Sequence, residues 1–438
     1  MEGTERRPPQ LSAALLFPQS KRLGIDLGHY SPAVLERVIY AAAYNPSFAQ
    51  GSEALRHLAD LDVPTKQVER MARRIGNELC AERDREVQTY LDLPLVERKA
   101  TPPGVETPKL AVVQIDGGRL QILDRGKTSA GEATAPQDAH KSHWREDKVG
   151  LLATMSSAAD SSDPCPTIPE HFLDLKRITK LTREIKGAVN AAEGGLPAEA
   201  ATTGGAVADN ESSYTAPTLE KRSVAATRAD AHEFGGIVAQ AAWKRGFFGA
   251  ERRAFVADGS ATNWGVWERH FSNFTPIVDF IHALTYVCNA AMAGHSSEQG
   301  AAVYMEWIGH VWAGQIEKVI DALAERQAEL GLPTPDDAET SPRQRVAETM
   351  GYLHNQKERM RYAEYRTQGL PITSCHIEST IKQINQRVKG SEKFWSEDGA
   401  EAILQLRADA LSETEPLADF WKRRQATASG QHCYSNAA

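Results

Sequence analysis

The chain has 438 residues, a formal net charge of −8 and an ordinary apolar content; this length predicts two or three domains with ample material for a core. No run approaches the ~18 apolar residues of a membrane span, and the acidic balance lacks the overall basic footprint of a nucleic-acid binder. Five cysteines without a C-x-x-C pair exclude a disulfide framework and a zinc ribbon, and the polar start M-E-G-T-E-R-R-P-P-Q has no signal-peptide core, so a reducing cytoplasm is expected.

From residue 11 to about residue 93 the pattern is helical, without strand-type alternation. Ala54, Leu55 and Leu58 mark one helix, residues 61–64 a turn, and Val68, Met71 and Ile75 the next, which is helix-turn-helix spacing. Thr65 is the expected cap of the second helix. Lys66, Gln67, Arg70, Arg73 and Arg74 then fall on exposed positions where a recognition helix would meet a DNA groove. A plain helical hairpin produces the same pattern, so both readings stand at this point. Residues 97–108, charged and proline-containing, read as an interdomain linker.

The next stretch, K-L-A-V-V-Q-I-D-G-G-R-L-Q-I-L, predicts a short buried central strand ending at Asp116-Gly117-Gly118, with residues 121–124 forming the next strand back. Residues 125–143 are rich in Gly, Ala, Ser and Thr and read as an exposed loop, and a third strand is expected from Val149 onward. Three antiparallel strands in sequence result. A helix is expected over residues 170–185, a second Ala/Gly/Thr-rich segment over 187–214, and another helix over 227–244.

Residues 253–264, R-A-F-V-A-D-G-S-A-T-N-W, repeat the earlier design of a short apolar strand running into Asp-Gly. Asp-Gly is also a common turn pair, so either aspartate alone could mark a turn. Two of them, each ending the strongest strand of its region, point to paired carboxylates. T-P-I-V-D-F-I-H gives a further strand and the start of a helix, with Asp279 and His282 across the junction, where Asp279 could equally cap the helix. Residues 290–363 are almost wholly helical in pattern, broken at Pro333 and Pro335, with a second helical block following to Tyr365. Trp307, Ile308, Val311, Trp312, Ile316, Val319, Ile320 and Leu323 lie on one apolar face, as expected of an inserted helical unit.

The stretch S-C-H-I-E-S-T-I-K-Q-I-N-Q-R-V-K-G-S-E-K-F-W, residues 374–395, places Ile377, Ile381, Ile384 and Val388 on one helical stripe and Glu378, Lys382, Asn385 and Lys389 on the stripe beside it. A carboxylate heading a row of cations suits a site holding a metal and a phosphate chain, although a solvated charged face reads the same way. Lys382, Asn385, Arg387 and Lys389 are the expected phosphate contacts. A last apolar helix is expected over residues 399–411, and the tail beyond Lys422 is polar and expected to be disordered.

The order of three strands, helix, strand, strand, helical insertion and final helix fits an α/β fold with a ribonuclease-H-like mixed sheet, preceded by an all-α, helix-turn-helix-like region. In such a sheet the first and fourth strands are neighbours, so Asp116 and Asp258 would converge and a later helix would deliver Glu378. Three such carboxylates can hold two divalent cations about 3.5 to 4 Å apart, and their hard oxygen donors favour Mg²⁺ or Mn²⁺.

The segments V-V-Q-I-D-G-G-R, F-V-A-D-G-S-A-T-N-W and D-F-I-H, and above all G-L-P-I-T-S-C-H-I-E-S-T-I-K-Q-I-N-Q-R-V-K-G-S-E-K-F-W with G-A-E-A-I-L-Q-L-R-A, resemble bacterial insertion-sequence transposases of the DDE type. The resemblance is to the ISKra group, related to the eukaryotic Mutator-like transposases, and spans about residues 30–420. It implies Asp116, Asp258 and Glu378 as the catalytic and metal-binding triad with two Mg²⁺ or Mn²⁺ ions, and Asp279 and His282 as a supporting D-x-x-H pair. It implies DNA as partner, in the form of terminal inverted repeats and target, a homo-oligomer on that DNA, no membrane, and a bacterial cytoplasm near the nucleoid. Two departures from relatives are the absence of cysteine pairs near the amino terminus and Cys375 where many carry glycine. A decayed or repurposed relative that binds DNA without cutting it remains the alternative.

Overall fold

Residues 110–115 are buried on both faces, which is why an apolar run with two adjacent valines forms the central strand β1, Leu110–Arg125. The computed structural model describes residues 15–16, 18–23, 25, 30–125, 140–190, 214–390, 393–426 and 431–432. After β1 come β2 (His140–Ser156), β3 (Thr218–Thr227), β4 (Arg252–Ala257), β5 (Thr275–Val278) and the short β6 (Phe394–Trp395). They form a six-stranded mixed sheet in the order β3-β2-β1-β4-β5, with β6 beside the distal half of β1. The first three strands are antiparallel in succession, while β4, β5 and β6 join by parallel pairing. The fold is mixed α/β.

Three strand expectations are corrected. Asp116 does not end a strand: the β1–β2 ladder continues unbroken from Leu110↔Met155 to Arg125↔His140, through Gly117↔Lys148 and Gly118↔Asp147. The expected return strand at 121–124 is the continuation of β1, because β2 is long enough to supply a pairing partner along the whole length and the glycines meet no demand to turn. The third antiparallel strand is β3, in a stretch without a predicted element, and the strand expected from Val149 is the second half of β2.

Among the described residues from 30 to 426, fourteen helices of six residues or more surround the sheet. The first three are α1 (Pro32–Tyr44), α2 (Phe48–Ala59) and α3 (Thr65–Leu91), followed after β2 by α4 (Leu175–Asn190). Then come α5 (Ala231–Lys244), α6 (Ala261–His270), α7 (Phe280–Met292), α8 (Ser297–Trp312), α9 (Ile316–Leu330), α10 (Pro342–Gln356) and α11 (Tyr362–Thr367). The chain closes with α12 (Cys375–Val388), α13 (Glu397–Leu411) and α14 (Pro416–Ala426). Thus β2 begins and α4 ends inside segments expected as loops, and α14 continues into the expected tail. Residues 126–139, 191–213, 427–430 and 433–438 of those segments lie outside the described residues.

One face of the sheet packs on α5, α7 and the helices from α8 to α11, with Phe234, Val238, Phe280, Trp307, Ile308, Val311, Trp312 and Leu323 in its cluster. The other face presents Leu120, Ile122, Val149, Leu151, Val224 and Ala226 to α12 and α13. Val38, Ile39, Val68, Met71 and Ile75 of α1 and α3 belong to this second cluster, so the amino-terminal helices share a core with the sheet. The residues read as a linker are likewise packed down, since Lys99 donates from Nζ to the His270 carbonyl.

The long helix α3 touches both layers, packing on α13 and on α5. Toward its carboxyl end Glu86 accepts from Lys244 Nζ at 2.9 Å and from Gln240 Nε2 at 3.2 Å on α5. Toward its start it crosses α13 so closely that a Cβ on Gly76 would sit 2.5 Å from the Ala402 carbonyl oxygen. Thr65 does not cap α3: Pro64 holds that position and no side chain caps the helix. Lys66, Arg70 and Arg73 are exposed and Gln67 is half-buried, and Lys66 pairs with Glu69 at 2.8 Å. Among the described residues no helix is long and apolar enough to cross a membrane.

Because backbone opposes that missing Cβ, Gly76→Ala is expected to lower stability by about 1–3 kcal/mol. A denaturant midpoint that moves down at unchanged slope would show it, and an unmoved midpoint would rule out the close α3–α13 crossing.

Candidate active site

The site begins where β4 stops beside β1. Their parallel register ends at Gln114↔Val256, and carrying it forward by two residues brings Asp116 alongside Asp258. Asp116 is thus fixed in the middle of an antiparallel pair but stands at a notch on its parallel side. Asp258 begins a tight turn into α6, its Oδ1 accepting from Ser260 N at 2.9 Å and from Asn263 Nδ2 at 2.8 Å. Gly259 follows with φ 101°, and a Cβ there would lie 2.9 Å from the Tyr352 ring, so both conformation and space require glycine. The Asp-Gly pair is therefore a turn and, at the same time, a carboxylate at the sheet notch.

Helix α12 delivers Glu378 in its first turn, and two buried polar side chains fix where that turn begins. Gln114, on the same face of β1 as Asp116, accepts from Ile377 N at 3.1 Å and donates to the Thr373 carbonyl at 3.2 Å. Asp279, fully buried at 0 % exposure, caps α7 through Ile281 N at 3.1 Å. The same carboxylate accepts from Ser374 N at 3.1 Å and from Ser374 Oγ at 2.8 Å, and lies 2.8 Å from His282 Nδ1. Both readings of Asp279 therefore coexist, as helix cap and as partner of His282.

These side chains share one electrostatic environment. Burial pushes the Asp116 carboxyl up to about 7; the nearby His282 charge and the Gly117 amide oppose that rise, while the Asp258 and Glu378 charges add to it. Burial works against a charged His282. The hydrogen bond and charge of Asp279, then the charges of Asp258 and Asp116, outweigh it and raise the imidazole to about 9. An imidazolium thus stands among three carboxylates. Among the described residues, however, no three His, Cys, Asp or Glu side chains are drawn close enough to hold a metal ion. The donor chemistry nevertheless fits a hard divalent cation, whose charge would relieve the repulsion that Asp116 feels.

Neither a family model nor a curated protein matches this chain.

Of the expected phosphate contacts, Lys382 on α12 and Lys389 just past its end are exposed and Asn385 is half-buried. Lys389 Nζ sits 5.4 Å from the Trp144 ring centroid. Arg387 is corrected: it is 2 % exposed, donates from Nε to the Ala42 carbonyl at 2.8 Å, and lies 4.2 Å from the Phe48 ring centroid and 5.4 Å from that of Trp395. It falls on the buried side of α12 one residue before Val388, so it ties α12 to α1 and cannot reach a nucleic-acid backbone.

Gln114, Ser374 and Asn263 were not among the expected site residues. Gln114 had a visible signal, as the one polar residue inside an apolar strand run; the others look like ordinary cap and turn residues. A further carboxylate, Asp147, was hidden in the charged run W-R-E-D-K. It is 0 % exposed and paired with Gly118, where a Cβ would meet its Oδ2 at 2.8 Å. Apart from the pull of its own amide, neither oxygen finds a hydrogen-bond donor among the described residues.

Two outcomes follow from these placements. Arg387→Ala is expected to cost about 3 kcal/mol, because the Ala42 carbonyl loses its donor and two aromatic rings lose their packing. An equal thermal stability for variant and parent would show that Arg387 is not structural. Burial pushes Asp147 up to about 6, so the folded protein keeps a proton that the unfolded chain releases from near pH 4, and stability falls as pH rises between those values. Asp147→Asn should match the parent near pH 4 and gain on the order of 2 kcal/mol above pH 6. A gain independent of pH would contradict the assigned burial of this carboxyl.

Proposed function

We propose that the chain is a DNA transposase that binds the terminal inverted repeats of an insertion sequence, cleaves the phosphodiester at the ends and joins the 3′-hydroxyl to target DNA. The observation that carries this reading is the charge-coupled cluster of Asp116, Asp258 and Glu378, built on a central strand, its parallel neighbour and a late helix. The strand order β3-β2-β1-β4-β5 agrees with a ribonuclease-H-like sheet, in which such a cluster forms a phosphoryl-transfer site.

Asp116, Asp258 and Glu378 are the residues that would hold Mg²⁺ or Mn²⁺. When bound, two such ions supply activation of the attacking oxygen and charge stabilisation at the leaving one. The chain's own side chains do the positioning. Asn263 and the Ser260 amide orient Asp258, and Gln114 and Asp279 fix the helix that carries Glu378. His282, held by Asp279, keeps positive charge beside the carboxylates. Lys382, exposed on α12, and Lys389, exposed just past its end, suit phosphate contact, and Lys66, Gln67, Arg70 and Arg73 on α3 suit contact with the repeat sequence. A homo-oligomer that brings two DNA ends together belongs to the same reading.

A catalytically inactive or repurposed DNA-binding relative is the second reading. It is favoured by one observation, that among the described residues the acidic side chains are not drawn into a metal-holding group.

A labelled duplex carrying the repeats separates the two. Nicking by the parent in Mg²⁺ or Mn²⁺, lost by 10³-fold or more in Glu378→Gln (an order-of-magnitude expectation, ~4 kcal/mol of barrier), is expected of the enzyme. Binding without nicking, by parent and variant alike in either metal, would overturn the catalytic reading.

A further inference from the structure

The sheet outruns one of its two helical layers. On the face that α5 covers, Ile115 of β1 and Gly150 of β2 are buried, whereas Gly117 and Arg119, next along β1, are exposed. At the same level the opposite face stays closed, with Leu120 and Ile122 buried in the cluster that includes α12 and α13. A sheet face bare to water is ordinarily polar. This one carries aromatics. Trp144 of β2 stands opposite Gln121 of β1, and Gln121 stands opposite Phe394 of β6, so three side chains form a row across three strands on the bare face. Trp144 is 40 % exposed and Phe394 44 %, and Leu123, half-buried, follows on the same face of β1. Trp395, the next residue of β6, turns to the core side, where its Nε1 donates to the Val388 carbonyl at 2.8 Å. That anchor holds Phe394 outward, since successive residues of a strand point to opposite faces.

Cations border the row. Arg119, on the same face two residues before Gln121, is exposed and has no ion pair or hydrogen bond among the described residues. Lys389 Nζ lies 5.4 Å from the Trp144 ring centroid. Glu146, opposite Arg119, is engaged by Lys148 at 3.1 Å. Exposed rings beside positive charge suit an occupant with a flat π-face and an anionic backbone, as a nucleotide has. An apolar protein segment would cover the rings but leave Arg119 without an answering charge. Within a duplex the base faces are already stacked on one another, so the row fits a base that is unpaired.

We propose that Trp144, Gln121 and Phe394 form a stacking surface for an unpaired base of a DNA strand whose backbone runs on to the carboxylate cluster. The inference rests on the DNA reading above. Two elements tie the surface to the cluster: β1 carries both Asp116 and Gln121, and α12 carries Glu378 in its first turn and Lys389 just past its end. Strand β4 pairs with β1 only as far as Gln114, and β6 pairs with it only at Gln121 and Ile122. The edge of β1 between them, from Ile115 to Leu120, therefore has no strand beside it among the described residues. Asp116 lies at one end of that open edge and the row at the other, five residues apart, about 17 Å at ~3.3 Å per residue. At the ~3.4 Å spacing of stacked nucleotides, about five nucleotides separate a phosphodiester at Asp116 from the base on the row.

The test is binding of a short fluorescein-labelled oligothymidylate to the full chain, measured by anisotropy, beside an oligonucleotide of equal length whose residues are abasic. The parent is compared with Trp144→Ala/Phe394→Ala, with the conservative Trp144→Phe/Phe394→Tyr, and with a control, Met305→Ala/Leu332→Ala, which trims two exposed apolar side chains elsewhere. The alanine pair should bind oligothymidylate at least about tenfold more weakly with an unchanged log–log salt slope, because it removes stacking and no charge. It should bind the abasic strand as the parent does, and the conservative pair and the control should follow the parent on both. Thermal unfolding confirms that all four proteins are folded. An alanine pair that equals the parent on oligothymidylate, or that loses as much on the abasic strand, would overturn the stacking surface, while DNA binding by the parent would keep the DNA reading in place. Parental DNA affinity with weakened self-association in sedimentation would assign the row to a contact between copies of this chain and overturn base stacking. A parent that binds neither oligonucleotide nor a duplex would overturn the DNA reading and the surface with it.

Discussion

The candidate site depends first on the buried carboxylate of Asp279. A fully buried carboxylate is tolerable only when donors surround it, and this one is served by Ile281 N, Ser374 N, Ser374 Oγ and the His282 ring. Those donors come from two elements far apart in sequence. One carboxylate therefore starts α7, orients His282 and sets where α12 begins, and Glu378 inherits its place from that start. The neighbouring backbone reinforces the corner, with Asp279 N donating to the Ala257 carbonyl and Phe280 N to the Ile372 carbonyl, both at 2.9 Å.

Around that corner the electrostatics are deliberately unbalanced in favour of negative charge. Burial and two neighbouring carboxylates raise Asp116, and one imidazolium offsets only part of the repulsion. A structural ion-pair network would be expected to pair each acid with a cation, as Arg83 pairs with Glu401 at 2.9 Å and Arg366 with Asp163 at 2.5 Å elsewhere in this chain. At Asp116 the opposing charge is instead the His282 imidazolium. Carboxylates that repel one another at a notch in a sheet are the condition under which a cation from solution gains most, which is the physical content of the metal-dependent reading.

The sequence disclosed the parts of this arrangement that rest on local pattern. The apolar run of β1, the short strand before Asp258 and the stripe of Ile377, Ile384 and Val388 were legible because burial imposes a period on the residues themselves. What was not legible depends on pairing across the chain. Gly117-Gly118 looks like a turn and is extended because β2 runs beside it; Arg387 looks like a surface cation and is buried because α1 and Trp395 cover it. Asp147 sits in a run of charges that reads as solvated, yet its strand position turns it inward over Gly118. Gln114 shows the intermediate case. Its polarity within an apolar strand was visible, but the groups it bonds, Ile377 N and the Thr373 carbonyl, lie more than 250 residues away.

The helices between α7 and α12 complete the same logic. Tyr352 of α10 donates to the Asp258 carbonyl at 2.9 Å, and Gln356 Nε2 donates to the Gly259 carbonyl at 2.9 Å, so the turn bearing the second aspartate is held from outside the sheet. Tyr352 in turn stacks on Tyr286 of α7, with ring centroids 3.9 Å apart and planes inclined by 10°. Helix α7 thus references Asp258 through one aromatic pair and Glu378 through one carboxylate, while β1 supplies Asp116 and, two residues earlier, the Gln114 that secures α12. Asp258 and the helix bearing Glu378 are set by buried polar contacts, and Asp116 by its place in the β1–β2 ladder. The helices between α7 and α12 consequently act on the cluster through the backbone of the Asp258-Gly259 turn.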